Sequence, residues 1–219
     1  MKIAAVVPVK NFDTSKSRLS PLLNSTQRIA ISQVMMKHTL STLSRIAFIS
    51  PIIVVSCDNR VQKIADSFGA DFVYEQETGV NGAVRTADRF CLENDIQSNM
   101  VIPTDLCTLQ PDEIKLIYNH SMKFPKSIAL CPSSRRDGTN FLLRNPLPLF
   151  ETSYENNSYY NHLSSAIKSN VHLTIINSDR LERDIDTMQD MIEVISLYPT
   201  NNLVEVIKII MARVYKLNH

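Results

Sequence analysis

The feature that most constrains this chain is an alternation of two patterns. Short apolar runs at Ile3–Val9, Ile52–Val55, Asp71–Tyr74, Asn99–Pro103, Ser127–Leu130 and Val171–Ile176 read as strands. Segments of helical period follow them, at Ser25–Ile46, Arg60–Phe68, Gly82–Glu93, Pro111–Ser121, Ser158–Ser169, Met188–Leu197 and Leu203–Tyr215. Continuous apolar strands alternating with amphipathic helices predict an α/β fold with a mostly parallel sheet covered on both faces. Pro111 followed by Asp112 and Glu113 suits a helix start, where the dipole favours acids. No repeat, linker or low-complexity stretch divides the 219 residues, so one domain spanning 1–219 is expected. The stretch 144–161, rich in proline, asparagine and tyrosine, reads as an irregular excursion from the sheet.

Charge and cysteine usage narrow the partners. A net charge of +1 gives no global field for nucleic acid or an anionic membrane. No apolar run approaches the ~20 residues of a membrane helix. The apolar part of MKIAAVVPVK is short for a signal peptide and reads as the first strand of a cytoplasmic protein. Cys57, Cys91, Cys107 and Cys131 include no CxxC pair, which predicts reduced packing residues rather than a zinc site or disulfides.

Ligands of open α/β sheets bind outside the carboxyl ends of the strands. The residues after each expected strand therefore define a candidate rim. Lys10, Lys16 and Arg18 follow the first strand, in a loop without glycine. Thr78-Gly79-Val80-Asn81-Gly82 follows the third, and Pro103-Thr104-Asp105 the fourth. Arg135-Arg136-Asp137-Gly138-Thr139-Asn140 follows the fifth, and Asp184-Ile185-Asp186-Thr187 comes after the last. Lysine and arginine hold phosphate oxygens through charge-assisted hydrogen bonds. Only four glycines occur, and two frame Gly79–Gly82, where backbone can approach a ring or phosphate. Asp105 and Asp186 suit a hard cation such as Mg2+, which takes one or two carboxylates plus substrate oxygens. Read singly, these features have plainer roles: GxxG as a tight helix start, Asp184 or Thr187 as a helix cap, Arg135-Arg136 as a hairpin edge. Together on one rim they point to a nucleotide. Neither GxxxxGK[ST] nor GxGxxG after the first strand is present, so neither the P-loop nor the dinucleotide fingerprint applies.

The strings VPVK…SKSRLSPLL, GVNGAV, IPTDLCTL, SRRDGTNFLL and DIDTMQDM occur in one order over residues 3 to about 192. In that combination the chain resembles the 2-phospho-L-lactate guanylyltransferase family. The resemblance implies a single-domain nucleotidyltransferase fold, a three-layer sandwich shared with sugar-nucleotide enzymes. It implies transfer of GMP from GTP to 2-phospho-L-lactate, phosphoenolpyruvate or 3-phosphoglycerate in coenzyme F-420 synthesis, with release of pyrophosphate. Lys10, Lys16 and Arg18 would then hold the triphosphate as catalytic cations. Gly79, Asn81, Gly82, Pro103 and Asp105 would border the nucleotide. Asp137, Gly138, Thr139, Asn140, Ser158 and His162 would bind the acceptor. Asp105 and Asp186 would hold Mg2+, with Asp184 the alternative to Asp186. A homodimer is also implied, with 144–161 and the last helix as candidate interface.

Two residues depart from the family strings. Glu155 stands where a glycine precedes the serine, and Cys107 stands where a proline follows Asp-Leu. A carboxylate facing an anionic acceptor would repel it. Two other readings keep the fold: a cytidylyl- or molybdopterin-type nucleotidyltransferase, and a non-catalytic nucleotide-binding homologue. Asp184-Ile185-Asp186 also has the DxD form of glycosyltransferases, although it comes late in the chain.

Overall fold

A computed structural model describes residues 2–75 and 79–212. Thr78, expected at the glycine loop, and the last residues of the helix expected to reach Tyr215 lie outside the described residues. Seven strands form one sheet: β1 (Ile3–Pro8), β2 (Ile49–Ser56), β3 (Asp71–Tyr74), β4 (Asn99–Val101), β5 (Ser127–Pro132), β6 (Thr139–Asn145) and β7 (His172–Ile175). Their order is β3-β2-β1-β4-β6-β5-β7. All pairings are parallel except those of β6, which runs antiparallel to β4 and β5.

The helices are α1 (Ser25–Leu43), α2 (Asn59–Ser67), α3 (Val80–Glu93), α4 (Pro111–Ser121), α5 (Ser158–Lys168), α6 (Asp179–Glu182), α7 (Met188–Leu197) and α8 (Asn202–Ala212). The two-residue period of the strands sorts the core into two layers. Ile3, Ala5, Val7 and Val54 face Met36 and Leu40 of α1, Val61 of α2 and Ile114 of α4. Ala4, Val6, Ile53 and Val55 face Val84, Ala87 and Cys91 of α3 and Tyr159 and Ala166 of α5. The result is the three-layer sandwich expected from the alternation.

β6 corrects the sequence reading. Its residues TNFLLRN are all buried, although the segment contains Arg144 and two asparagines. Arg144 is 0% exposed, yet charge in a strand reads as an exposed or irregular position. It is tolerated because Asp88 of α3 takes both guanidinium ends, one at 2.8 Å, and Asn99 accepts at 3.1 Å. The irregular segment therefore begins after Asn145. The last helix, a candidate interface, also packs within the chain. Leu203, Val204 and Ile207 of α8 pack with Ile31 and Met35 of α1 and with α7, so much of its apolar face is core. Three of the four cysteines are buried and Cys57 is exposed, all as free thiols.

Candidate active site

A cavity of about 690 Å³ opens at the carboxyl ends of β1, β2, β3 and β4 and runs to the β5–β6 hairpin. Lys10, Lys16, Gly79, Pro103, Asp105, Gly138, Thr139, Asn140, Ser158, Asp184 and Asp186 all line it. Segments far apart in sequence thus converge, at a volume typical of small-ligand sites.

The cation loop is held from beneath. Asp58, buried at the end of β2, accepts from Phe12 N–H at 3.0 Å and from Arg60 Nε at 2.9 Å. Arg60 also reaches Asp13 Oδ2 at 2.9 Å. Burial opposes the Asp58 charge, but Arg60 and the Phe12 N–H hold its carboxyl below the usual range. Arg28 donates to Ser15 O at 3.1 Å from α1. Lys16 then adopts φ 52°, a left-handed backbone that costs a non-glycine residue about 1 kcal/mol. The next residues, Ser17–Leu19, form a single 3-10 turn whose Leu19 is buried with Ile185. That contact brings Lys16 to the acids.

Lys16 Nζ lies 3.1 Å from Asp105 Oδ2, 3.4 Å from Asp186 Oδ1 and 2.6 Å from Ile185 O. Burial works against its charge, but Asp105 and Asp186 outweigh it and raise the ammonium above its usual range. The segment 182–186 crosses the cavity floor on main-chain bonds: Ile185 N to Asp105 O at 3.2 Å and Ser134 N to Glu182 O at 2.8 Å. Asn140 Nδ2 donates to Glu182 O at 3.0 Å and to Asp184 Oδ1 at 3.1 Å. Carboxylate oxygens of Asp105, Asp184 and Asp186 all fall within 4.8 Å of one another. Burial, reinforced by Asp105, pushes the Asp184 carboxyl up. Asp105 Oδ1 is buried and has no hydrogen-bond partner. Three crowded carboxylates with an unused oxygen fit a hard divalent cation, an all-oxygen set of the kind Mg2+ takes. Asp184 thus joins Asp105 and Asp186 in one cluster.

Thr187, the alternative cap, does cap α7: it forms a capping box with Asp190. Asp190 also accepts from Asp186 N at 3.1 Å and from Arg135 at 3.1 Å, so Arg135 braces the segment that carries the acids.

Five expected site residues take other positions. Arg18 is largely exposed and pairs with Asp186 Oδ2 at 3.2 Å instead of lining the cavity. Asn81 Oδ1 accepts from Tyr154 N at 2.7 Å and so ties α3 to the 151–157 loop. Gly82 is buried inside the first turn of α3, and it is Gly79, Val80 and Ala83 that face the cavity. Asp137 is exposed and accepts from Ser133 Oγ at 2.8 Å, closing the hairpin. His162 is 0% exposed, behind Thr139. Asn81 and Asp137 serve the loops' own hydrogen bonds, and spacing does not reveal that.

Gly79, with φ 101°, starts α3 in a conformation open to glycine. Gly138 approaches Ser133 closely, and an added β-carbon would lie 3.2 Å from Ser133 Oγ. Glu155 is exposed, and a β-carbon on Gly79 would lie 3.7 Å from its Oε1. Its carboxylate therefore sits at the start of α3, where the helix dipole favours an acid, and not on the cavity wall. Asn156 and Asn157, both left-handed, carry the turn into α5, and Asn161 Nδ2 holds the carbonyls of Glu155 and Asn156. Glu75 is a cavity residue that the sequence reading passed over; it lies one residue past β3 and takes a hydrogen bond from Thr86 Oγ1.

A family model described as "Guanylyl transferase CofC like" matches residues 3–211. The chain belongs to that family. Among curated members of the CofC-like guanylyl transferases, the 3-phospho-D-glycerate guanylyltransferase of Colwellia psychrerythraea is 33% identical over 87% of this chain and 90% of its own. The phosphoenolpyruvate guanylyltransferase of Rubrobacter xylanophilus is 28% identical over 87% and 92%. The 2-phospho-L-lactate guanylyltransferase of Methanobrevibacter smithii is 26% identical over 88% and 84%. Among solved structures, a nucleotidyl transferase from Methanothermobacter superposes with a TM-score of 0.63 at 13% identity, covering 92% of this chain and 99% of that one. A cytidylyltransferase from Leptospira borgpetersenii gives 0.59 at 14% identity, covering 95% and 94%. These likenesses show that the CofC-like sheet order is a nucleotidyltransferase fold. No described helix is long and apolar enough to cross a membrane.

Proposed function

We propose that this protein transfers GMP from GTP to a small phosphorylated acid, releasing pyrophosphate. The observation that carries the reading is the meeting of Lys16, Asp105, Asp184 and Asp186 in a cavity that Thr139, Asn140 and Ser158 also line. Family membership supports a guanylyl donor, and the named relatives support 2-phospho-L-lactate, phosphoenolpyruvate or 3-phosphoglycerate as acceptor.

In the reaction an acceptor phosphate oxygen bonds to the α-phosphorus of GTP, and the bond from that phosphorus to the β-phosphate bridge oxygen breaks. Attacker and target are both anions, so the residues work by position and charge. Lys10 and Lys16 bind triphosphate oxygens, and Arg18 stands outside as a third cation. Glu75 and Gly79 line the same cavity and would border the nucleoside end of GTP. Thr139, Asn140 and Ser158 orient the acceptor. No side chain need remove a proton, because the acceptor phosphate is already ionised near neutral pH. Asp105, Asp184 and Asp186 would hold Mg2+, which when bound supplies positive charge to phosphate oxygens. A homodimer, a cytoplasmic location and a place in coenzyme F-420 synthesis belong to the same proposal through the family resemblance.

The test is pyrophosphate release with GTP, Mg2+ and each of the three acids in turn. Release that requires one of the acids supports the reading. Release without any acid, or none with all three, contradicts it.

A further inference from the structure

His162 is buried, with both ring nitrogens engaged. Its Nε2 lies 2.9 Å from Ser153 N, and its Nδ1 lies 2.9 Å from Thr139 Oγ1. A main-chain N–H can only donate, so Nε2 must be the bare, accepting nitrogen. The ring proton therefore sits on Nδ1 and points at Thr139. Ser158 Oγ donates to the same oxygen at 3.1 Å. Thr139 Oγ1 thus receives two hydrogen bonds, and its own hydrogen must go elsewhere. Thr139 and Ser158 line the cavity, whereas His162 lies behind them.

We propose that His162 is a positioning residue: held as the Nδ1–H tautomer by Ser153, it fixes Thr139 Oγ1 as a donor aimed into the cavity at an anionic acceptor. This rests on the guanylyl-transfer reading for the identity of the anion, but the relay itself does not. The arrangement selects for charge. A hydroxyl that receives two hydrogen bonds is a better donor, because bonds in a chain polarise one another. It also links the acceptor wall to the 151–157 loop, since Ser153 and Tyr154 are fixed by His162 and Asn81 respectively. Burial and the neighbouring Arg144 lower the His162 pKa to about 4, which keeps the ring neutral as the relay requires.

Imidazole 15N shifts of the wild-type protein report the tautomer directly. Protonation at Nδ1 at neutral pH is expected; an Nε2–H ring or an imidazolium would overturn the relay. Steady-state kinetics with phosphoenolpyruvate and 3-phospho-D-glycerate supply the second arm. Thr139→Val and His162→Gln should each raise the acceptor KM about tenfold or more, and leave the KM for GTP unchanged. The double variant should be no worse than Thr139→Val alone. His162→Asn, which keeps a donor near the Nδ1 position, should stay closer to wild type than His162→Gln. Additive losses, or equal losses in the KM for GTP, would overturn the proposal. A protein inactive with every acid yet carrying the Nδ1–H ring would support the relay and sink guanylyl transfer.

Discussion

Lys16 Nζ sits between Asp105 and Asp186, 3.1 Å from one carboxylate and 3.4 Å from the other. One cation thus bridges acids 81 residues apart, counting from 105 to 186. Without it, three half-buried carboxylates would repel one another. Lys16→Met should therefore lower kcat by about 100-fold, the usual cost of one charged transition-state contact. It should also tighten Mg2+ binding in the absence of nucleotide, because ammonium and metal ion compete for the charge of the same carboxylates. Calorimetric titration with Mg2+ checks this, and weaker binding would count against the competition.

Asp105 supplies the cluster's unpartnered oxygen. Asp105→Asn should bring turnover to background while the thermal midpoint stays near that of wild type. Unchanged turnover in that variant would contradict the metal assignment.

Glu155 faces the start of α3 from the solvent side. An exposed charge at such a place is worth about 1 kcal/mol or less. Glu155→Gly should change the acceptor KM by less than about fivefold, the equivalent of that energy. A drop beyond about tenfold would show the carboxylate opposing the acceptor after all.

Half-buried Asp88 and fully buried Arg144 pair to tie α3 to β6, the strand that carries Thr139 and Asn140. Removing one partner leaves a buried charge alone, at a cost of about 3–5 kcal/mol. Asp88→Asn, which strands the fully buried Arg144, should lose that much in denaturant unfolding. Asp88→Asn together with Arg144→Met should recover part of it, and a single variant as stable as wild type would refute the role.

His162 gives a pH dependence of defined sign. Its pKa falls from 6.5 to about 4 on folding, so the unfolded chain binds the extra proton first as pH drops. The contribution is complete above the unfolded value and is lost as pH falls through the window from 6.5 to about 4. Its full size is roughly 3 kcal/mol, taking each pKa unit as 1.36 kcal/mol. Unfolding free energies of wild type and His162→Asn should converge across that window; parallel curves would contradict the shift.

How much of this was legible in the sequence follows from what patterns encode. Six strands and most of the seven expected helices carry a readable apolar pattern, because they bury apolar side chains against apolar neighbours. β6 does not, because its Arg144 is solvated by a carboxylate 56 residues away and no local period records that pairing. The rim was legible for a similar reason: strand ends place Lys16, Asp105 and Asp186 together by topology. The buried Asp58, which follows β2 on the same rim, and Glu75 after β3 were passed over. Nothing about a single acid tells a loop brace from a ligand. The positions of Asn81 and His162 depended on which side of a loop each side chain faced, which spacing leaves open.

The most direct measurement is the mass of the product formed from GTP, Mg2+ and each phosphorylated acid. The account predicts a guanosine diphosphodiester of one acid, formed in equal amount with pyrophosphate and absent with Asp105→Asn. GTP bound without any such product, or the same product class formed better from CTP, would contradict it.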